Sequence, residues 1–262
     1  MSGEVSARMA SPESHRNLLL RFLTPGDFRL LARHLTPIRF GFGEILVSPE
    51  APLTRLIFPA TTIIAMREGR TGARRHVGMV GLEGMVGWPL LMGSDHSTLL
   101  GITQVQDGTG FAIEADQLRK ICEISVTLNT ALLRFVHNFM TQMACTIVSN
   151  GTDTIERRVA RWLLMVHDRT HDDTMWLTHD NVSAALNIRR ASVTDCFHVL
   201  EGEGLLRCTR GKIIIRDRGR LKEIAGASYG VTEAHYARDI GPFAVADTAL
   251  KAVQKTAITS MS

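Results

Sequence analysis

The residue types between Arg190 and Asp195 suit hydrogen bonding to a nucleic acid. If a helix begins at Arg190, helical periodicity points Arg190, Ser192, Thr194 and Asp195 away from the core. Arginine makes bidentate contacts to guanine edges, and short hydroxyl residues at a helix N-terminus lie where backbone amides favour phosphate. This set predicts a helix that reads the major groove of DNA. The alternative is a solvated polar helix face that binds nothing.

The residues before this helix predict the first half of a helix-turn-helix. Thr178 is a candidate N-cap for a short helix with apolar residues at Val182, Ala185 and Leu186. Asn187 tolerates the left-handed backbone that a tight turn needs. The second helix is predicted from about Arg190 to Glu203. Its predicted buried residues are Val193, Phe197, Val199 and Leu200.

A basic hairpin is predicted directly after the second helix. Residues 205–216 alternate in character and turn at Arg210, Gly211 and Lys212, which is typical of a wing whose tip contacts phosphates. Two further elements are predicted before the helix-turn-helix: a helix from Thr154 to Leu164 and a short strand at residues 175–177. Between residues 155 and 222 there are 13 Lys or Arg and 9 Asp or Glu, and this excess equals the formal charge of +4 of the whole chain. Positive charge therefore concentrates where phosphates would be neutralised.

The composition of the 262 residues favours a globular protein with two domains. No run approaches the roughly 18 apolar residues of a membrane helix, and the first residues lack the apolar block of a signal peptide. We expect a cytoplasmic protein with no membrane partner. The four cysteines, at positions 122, 145, 196 and 208, form no CxxC pair, which argues against structural zinc and disulfides.

The N-terminal half predicts short helices followed by many short strands. Residues 1–14 are polar and are expected to be disordered. Two helices are predicted on either side of Thr24, with Pro25 opening the second. From Pro37 to about Ile113, β-branched runs alternate with turn residues, as in an antiparallel barrel or a jelly roll. Periodicity alone does not separate these two folds.

A long amphipathic helix is predicted after Glu114. Its apolar series steps by four, three and four residues, as in a coiled-coil seam: Leu128, Leu132, Phe135 and Phe139. We expect this seam to form a dimer, because a DNA-reading element placed directly after it would gain from two-fold symmetry. The alternative is a helix packed on its own domain.

Three segments together resemble the CRP/FNR superfamily of bacterial transcription regulators. Residues 76–87, HVGMVGLEGMVG, look like the glycine-rich loop of that family's sensor domain, and residues 156–164 and 177–215 follow its DNA-binding pattern. The resemblance spans residues 16–228. It implies an α+β fold with a cyclic-nucleotide-binding-like jelly roll at residues 15–116, a dimerisation helix at 117–150 and a winged helix-turn-helix at 151–228. The tail at 229–262 shows no clear periodicity, and the sequence leaves its role unassigned.

The resemblance implies a sequence-specific regulator that binds a palindrome in double-stranded DNA as a homodimer, with RNA polymerase as a further partner. It adds Arg189 to the residues expected at the DNA. One departure lies beside Arg190: members that depend on cyclic AMP have a glutamate where this chain has Ala191, which offers only a methyl group. The DNA target should therefore differ from theirs.

The sensor segment departs further from the relatives that bind cyclic AMP. Trp88 stands in the region of their ribose-binding glutamate, and residues 89–101 contain no arginine or lysine to pair with a phosphate. No cysteine precedes Cys122, which excludes the iron-sulfur branch, since its cluster needs four thiolates. We expect no cofactor and an effector other than cyclic AMP. If an uncharged or non-phosphate ligand binds, the candidate pocket is Gly81, Glu83, Gly84, Gly87 and Trp88.

Two further hypotheses remain open from the sequence. Oxidation of Cys196 in the reading helix could block DNA contact, given an exposed thiol with a lowered pKa. A cupin-like metal enzyme is the other, since His76 and His96 flank the glycine-rich loop, but the HxH pair of metal-binding cupins is missing. We therefore expect neither a metal site nor an enzyme.

Overall fold

The computed structural model of the chain describes residues 12, 15–69, 75–105, 107–170 and 174–243. Apart from Pro12, the segment predicted to be disordered lies outside the described residues, as does the tail beyond residue 243. No described helix has both the length and the apolar character needed to span a bilayer.

Two short helices open the described chain, as predicted. Helix α1 covers Leu18–Arg21 and helix α2 covers Pro25–Ala32. The Thr24 hydroxyl accepts a hydrogen bond from the Asp27 amide at 3.2 Å, and Pro25 occupies the first helical position. This confirms the predicted start of the second helix, where a proline costs no hydrogen bond.

Within the described residues, seven strands then form two antiparallel sheets. They are Thr36–Phe40 (β1), Ile45–Val47 (β2), Arg55–Pro59 (β3), Ile64–Glu68 (β4), His76–Val80 (β5), Leu99–Thr103 (β6) and Gly108–Glu114 (β7). The strand orders are β1-β7-β3 and β2-β6-β4-β5. Side chains from both sheets enter one apolar core, for example Phe58 from β3 and Met66 from β4. The predicted jelly-roll-like, cyclic-nucleotide-binding-like fold is confirmed.

The long helix predicted after Glu114 is in fact two helices. Helix α3 covers Ala115–Ile124 and helix α4 covers the 27 residues Val126–Thr152. Ser125 between them is extended, and its hydroxyl accepts from the Leu128 amide and donates to the Asp27 carboxylate. The prediction of one helix was wrong because it overlooked Ser125, a residue type that favours N-caps over helix interiors.

The predicted dimerisation seam lies inside the N-terminal β domain, which the two sheets form. Its four side chains are fully buried in the core beneath the sheets: Leu128, Leu132, Phe135 and Phe139. The Gln142 side chain, on the same face of α4, donates to the Met79 carbonyl and accepts from the Met79 amide. The seam prediction was wrong, because the spacing identified a buried face correctly but its partner is the chain's own β domain.

The C-terminal part has a second core of its own. Its elements are Ile155–His167 (α5), Thr174–Met175 (β8), His179–Leu186 (α6), Arg190–Gly202 (α7), Leu206–Thr209 (β9), Lys212–Ile215 (β10) and Arg218–Ala225 (α8). The strands form one antiparallel sheet in the order β8-β10-β9. The predicted inward residues of α5, among them Val159 and Trp162, are buried in this core as expected.

The chain then returns to the sensor domain. A last helix, Val231–Asp239 (α9), packs against α4, and the Asn138 side chain donates to the Thr232 carbonyl at 2.8 Å. Tyr236 is fully buried in the core of the β domain. Residues 229–243, to which the sequence assigned no role, therefore bridge the two parts of the molecule.

Candidate DNA-binding surface

The turn between α6 and α7 has the local geometry that the sequence predicts. The Thr178 hydroxyl accepts from the Asn181 amide, and the Asn181 side chain accepts from the Thr178 amide, which together form a capping box. Asn187 has φ of 51° and ψ of 49°, and among the described residues other than glycine it alone has a positive φ. Both predictions about this turn are confirmed.

The residues predicted to read DNA differ in exposure. Arg189, Arg190 and Asp195 are exposed, whereas Ser192 and Thr194 are half-buried. Some of these side chains also contact the preceding helix: Arg190 Nε lies 3.3 Å from Asp180 Oδ1, and Thr194 Oγ1 lies 3.0 Å from His179 Nδ1. The first contact joins two side chains that are each about two-thirds exposed. An exposed ion pair of this kind contributes little to stability. Arg190 can therefore leave Asp180 at little cost in free energy, as a contact with a DNA base would require.

The buried face of α7 differs from the predicted one at Val199, and it includes Cys196, the candidate for a redox switch. Val199 is 54% exposed, and Cys196 takes its place in the core beside Phe197. Burial raises the pKa of the Cys196 thiol to about 12, so the thiolate that oxidation requires is scarce at neutral pH. The structure therefore contradicts Cys196 as an exposed redox switch.

The wing has the predicted hairpin form. Strands β9 and β10 pair directly and turn through Arg210 and Gly211, whose φ of 73° suits glycine. Arg210 is exposed, and Lys212 Nζ lies 4.1 Å from the centroid of the Trp176 ring. A groove of about 420 Å³ separates the wing from the helix pair, and Arg190, Arg210 and Lys212 line it. Three basic side chains therefore face one groove.

The residues predicted to line an effector pocket instead hold the two parts of the chain together. Arg169, just after α5, donates from Nε to Glu83 Oε1 at 2.8 Å, and both side chains are at most 2% exposed. The other Glu83 carboxylate oxygen accepts from the Gly81 amide at 3.0 Å. Tyr236 of α9 donates to the Glu83 carbonyl at 2.8 Å. The carboxylate is thus fully engaged within the protein.

The remaining pocket candidates are also used for packing. A Cβ atom at Gly84 would lie 2.0 Å from the Phe135 ring. Gly87 has a φ of 92°, and a Cβ atom there would lie 2.8 Å from the Arg55 carbonyl oxygen. Trp88 is buried and lies 4.6 Å from the Phe139 ring, between centroids. Neither the groove beside the wing nor the small cavity described below is lined by Gly81, Glu83, Gly84, Gly87 or Trp88. An effector pocket at these residues therefore stays a prediction, and the close approaches show that the glycines serve backbone packing here.

A small cavity lies elsewhere, between strand β5, helix α4 and helices α5 and α6. Its volume of about 20 Å³ admits roughly one water molecule. Three of its lining residues carry a buried N–H group with no hydrogen-bond partner in the described structure: His76 Nδ1, Arg158 Nε and Trp162 Nε1. Arg67 Nε donates to His76 Nε2 at 3.0 Å, which leaves the proton of the neutral ring on Nδ1. All three orphaned groups are therefore donors.

The sequence gives little indication of the contacts that Glu83 makes with Arg169 and Tyr236. Glu83 and Arg169 are 86 residues apart, and Glu83 and Tyr236 are 153 apart, so no helical or strand period relates them. Arg169 lies beyond the end of α5, where a basic residue is ordinary. The one available signal was the acidic residue inside an otherwise apolar, glycine-rich loop, which needs a buried partner.

Together these elements define a winged helix-turn-helix protein with a cyclic-nucleotide-binding-like domain before it. Residues 157–224 match the family of Crp-like helix-turn-helix domains. A comparison with curated proteins finds no match.

Solved structures with a similar fold include several regulators. FixK2 from Bradyrhizobium japonicum is 18% identical with a TM-score of 0.65, and the match covers 74% of this chain and 98% of that one. A CRP-family transcriptional regulator from Thermus thermophilus is 17% identical with a TM-score of 0.60, covering 72% and 97%. The c-di-GMP-responsive regulator CLP from Xanthomonas campestris is 13% identical with a TM-score of 0.58, covering 74% and 100%. The chain thus contains a Crp-like helix-turn-helix domain, and it shares its overall fold with these solved regulators.

Proposed function

We propose that this protein is a homodimeric regulator that binds a palindromic DNA site and whose effector, if it has one, is not cyclic AMP. The observation that carries the DNA-binding part is the groove lined by Arg190, Arg210 and Lys212, in which the exposed start of α7 and the tip of the wing face the same space. In this arrangement α7 enters the major groove and the wing lies along the backbone.

The sensor domain supports an effector other than cyclic AMP. The segment after the glycine-rich loop, residues 89–101, contains no Lys or Arg that could pair with a phosphate. The loop carboxylate, Glu83, is buried and already holds Arg169. A nucleotide would have to displace a buried ion pair, which is costly.

The DNA-binding proposal is tested by selecting from a randomised duplex pool at two salt concentrations. Wild-type protein is expected to select a palindrome whose half-sites lie about one helical turn apart. Arg190→Ala should lose about 1–3 kcal/mol and relax one position of each half-site. Arg210→Ala and Lys212→Ala should weaken all sequences similarly and reduce the salt dependence. Salt-sensitive binding without any selected sequence would refute the reading role of α7.

Dimerisation is proposed through a different face of α4 from the one predicted. Met140, Ala144 and Ile147 are exposed and follow a spacing of four and three residues. Met140 is 56% exposed and Ile147 is 71% exposed, although both are apolar. A second copy of the same helix would cover this stripe in the manner of a coiled coil, and would also supply the two-fold symmetry that a palindrome requires.

The dimer proposal is tested by sedimentation of the full-length protein. Ile147→Glu, which places a charge on the stripe, is expected to weaken the dimer at least 100-fold. Ile124→Glu is the matched control, because Ile124 is 74% exposed but belongs to helix α3. A wild-type protein that sediments as a monomer, or an Ile147→Glu variant that dimerises as strongly as the wild type, would exclude this interface.

A second candidate function, gating by a small ligand, is favoured by the cavity at the junction of the domains. Its three unpaired donors suit an acceptor such as a small carboxylate, and Arg161 also lines it. Because the cavity admits only about one water molecule, a larger ligand would have to separate β5 from helices α5 and α6. Binding would then shift the position of the DNA-binding domain.

This gating is tested with formate and acetate as probes. Both should raise the melting temperature of the wild type, and the rise should be smaller in Trp162→Phe, which removes one donor and keeps an aromatic ring. Trp176→Phe, on the exposed wing side, should behave as the wild type. Equal shifts in all three proteins, or none in any, would exclude the cavity as an anion site.

A further inference from the structure

Three potential metal ligands meet where α9 packs against α4. His137 lies on α4, and His235 and Asp239 lie one helical turn apart on α9. One ligand atom from each lies within 4.8 Å of the others. The rings of His137 and His235 are 4.7 Å apart between centroids and nearly perpendicular, at 75°. The cluster thus joins two elements that are almost 100 residues apart in sequence.

The spacing of one pair fits two ligands of a common ion. His235 Nε2 lies 3.5 Å from Asp239 Oδ2. This is longer than the roughly 2.7–3.2 Å of an N–H···O hydrogen bond. Two atoms that each lie about 2.0–2.1 Å from a tetrahedral Zn²⁺ are about 3.4 Å apart. The pair already has this separation, and His137, whose side chain is exposed, can close the remaining distance by rotation.

The surroundings orient these ligands. His235 and Asp239 have side chains that are only 15% and 26% exposed. Arg238 donates to both Asp239 carboxylate oxygens, at 2.7 and 3.0 Å, and Arg134 Nη1 donates to the Asp239 carbonyl at 3.3 Å. Since each carboxylate oxygen has two lone pairs, Oδ2 can keep Arg238 and bind a metal as well. Hydrogen-bonded carboxylates of this kind are usual around metal sites.

We propose that His137, His235 and Asp239 bind Zn²⁺, or a similar borderline divalent transition ion, with a water molecule as the fourth ligand. Two imidazoles and one carboxylate suit Zn²⁺ and do not suit Ca²⁺ or Mg²⁺, which prefer oxygen ligands. From the sequence alone we expected no metal site. Nothing in the sequence brings these ligands together, since one comes from the long helix and two come from the tail. The site does not depend on DNA binding.

A bound metal ion would link helix α9 to helix α4, because its ligands come from both helices. The same helix inserts Tyr236 into the sensor core, where its hydroxyl meets the Glu83 carbonyl, and Glu83 pairs with Arg169 of the DNA-binding part. An ion that binds the folded chain in preference to the unfolded chain raises its stability by mass action. The metal would therefore stabilise the bridge between the two parts of the molecule.

The test is Zn²⁺ binding to full-length protein that has been stripped with a chelator and dialysed. Competition with a chromophoric chelator should give one tight site per chain, and Zn²⁺ should raise the melting temperature. His137→Ala, which removes an exposed side chain, and Asp239→Asn should each lower the affinity at least tenfold. Circular dichroism should show that both variants remain folded.

The matched control is His96→Ala, because His96 also lies beside a carboxylate, with Nδ1 2.7 Å from Asp95 Oδ1, but on the exposed surface. This variant should bind Zn²⁺ as the wild type does. Co²⁺ in place of Zn²⁺ should give the visible bands of a tetrahedral site in the wild type and in His96→Ala only. Equal Zn²⁺ affinity in the wild type and in His137→Ala, or no tight site in the wild type, would overturn the proposal.

Discussion

Arg169 and Glu83 form a buried ion pair between the C-terminal winged helix-turn-helix part and the glycine-rich loop of the N-terminal β domain. Arg169 Nε lies 2.8 Å from Glu83 Oε1, and the arginine Nη1 also donates to the Met165 carbonyl at 2.7 Å. The neighbouring Glu83 charge holds the pKa of Arg169 above its ordinary value despite complete burial. A displacement of the DNA-binding part would have to break this pair first.

We expect Arg169→Met to lower the free energy of unfolding by about 3–5 kcal/mol, because Glu83 would stay buried without a partner. Urea-induced unfolding followed by circular dichroism measures this. The double variant Glu83→Met/Arg169→Met should recover much of the loss. Arg119→Met is the control, since Arg119 pairs with Asp116 on the surface and should change stability by about 1 kcal/mol at most. A double variant as unstable as Arg169→Met would contradict this explanation.

Tyr236 should make α9 necessary for the stability of the sensor domain. Tyr236→Phe removes the donor to the Glu83 carbonyl and should cost about 1–3 kcal/mol, because that carbonyl is buried. Tyr236→Ala should cost about 3–5 kcal/mol, since it also leaves a cavity. Thermal unfolding measures both. Val231→Ala, at an exposed position of the same helix, should stay within about 0.5 kcal/mol. Unchanged stability of Tyr236→Ala would show that α9 does not pack as described.

The turn of the helix-turn-helix should discriminate between glycine and alanine at position 187. Asn187→Ala places a Cβ-bearing residue without a polar side chain at φ of 51° and should cost about 1–2 kcal/mol. Asn187→Gly should cost at most a few tenths of a kcal/mol, because glycine adopts this backbone freely. Chemical denaturation of the two variants compares them directly, and the prediction fails if alanine is tolerated as well as glycine.

His76 should make the protein less stable in acid. Burial, and next the charge of Arg67, lower the pKa of His76 to about 3 from an ordinary value of 6.5. The unfolded chain therefore binds a proton below about pH 6.5 while the folded chain does not. Stability present above pH 6.5 is lost as the pH falls towards 3.

Between pH 7 and pH 5 this single group should account for about 2 kcal/mol of lost stability. His76→Gln should remove that part of the pH dependence, whatever its effect at pH 7. Urea unfolding at the two pH values gives both slopes, and parallel profiles for His76→Gln and the wild type would exclude His76 as the cause.

The sequence alone determined features whose causes lie within a few residues. Thr178 caps a helix because its hydroxyl reaches an amide three residues on, and Asn187 turns the chain because of its own backbone preference. Pro25 and Gly211 act in the same local way. The order of the elements, and with it the resemblance to a known family, followed from such signals. Ser125 carried the same kind of signal and was overlooked.

Only the tertiary structure decided what each buried face packs against. The spacing of Leu128 and Phe135 identified an apolar face, but periodicity is the same whether a partner helix or the chain's own sheets cover it. The partners of Glu83 and the position of Tyr236 depend on residues far apart in sequence. No local sequence preference brings such distant residues together, so only the tertiary structure shows these contacts.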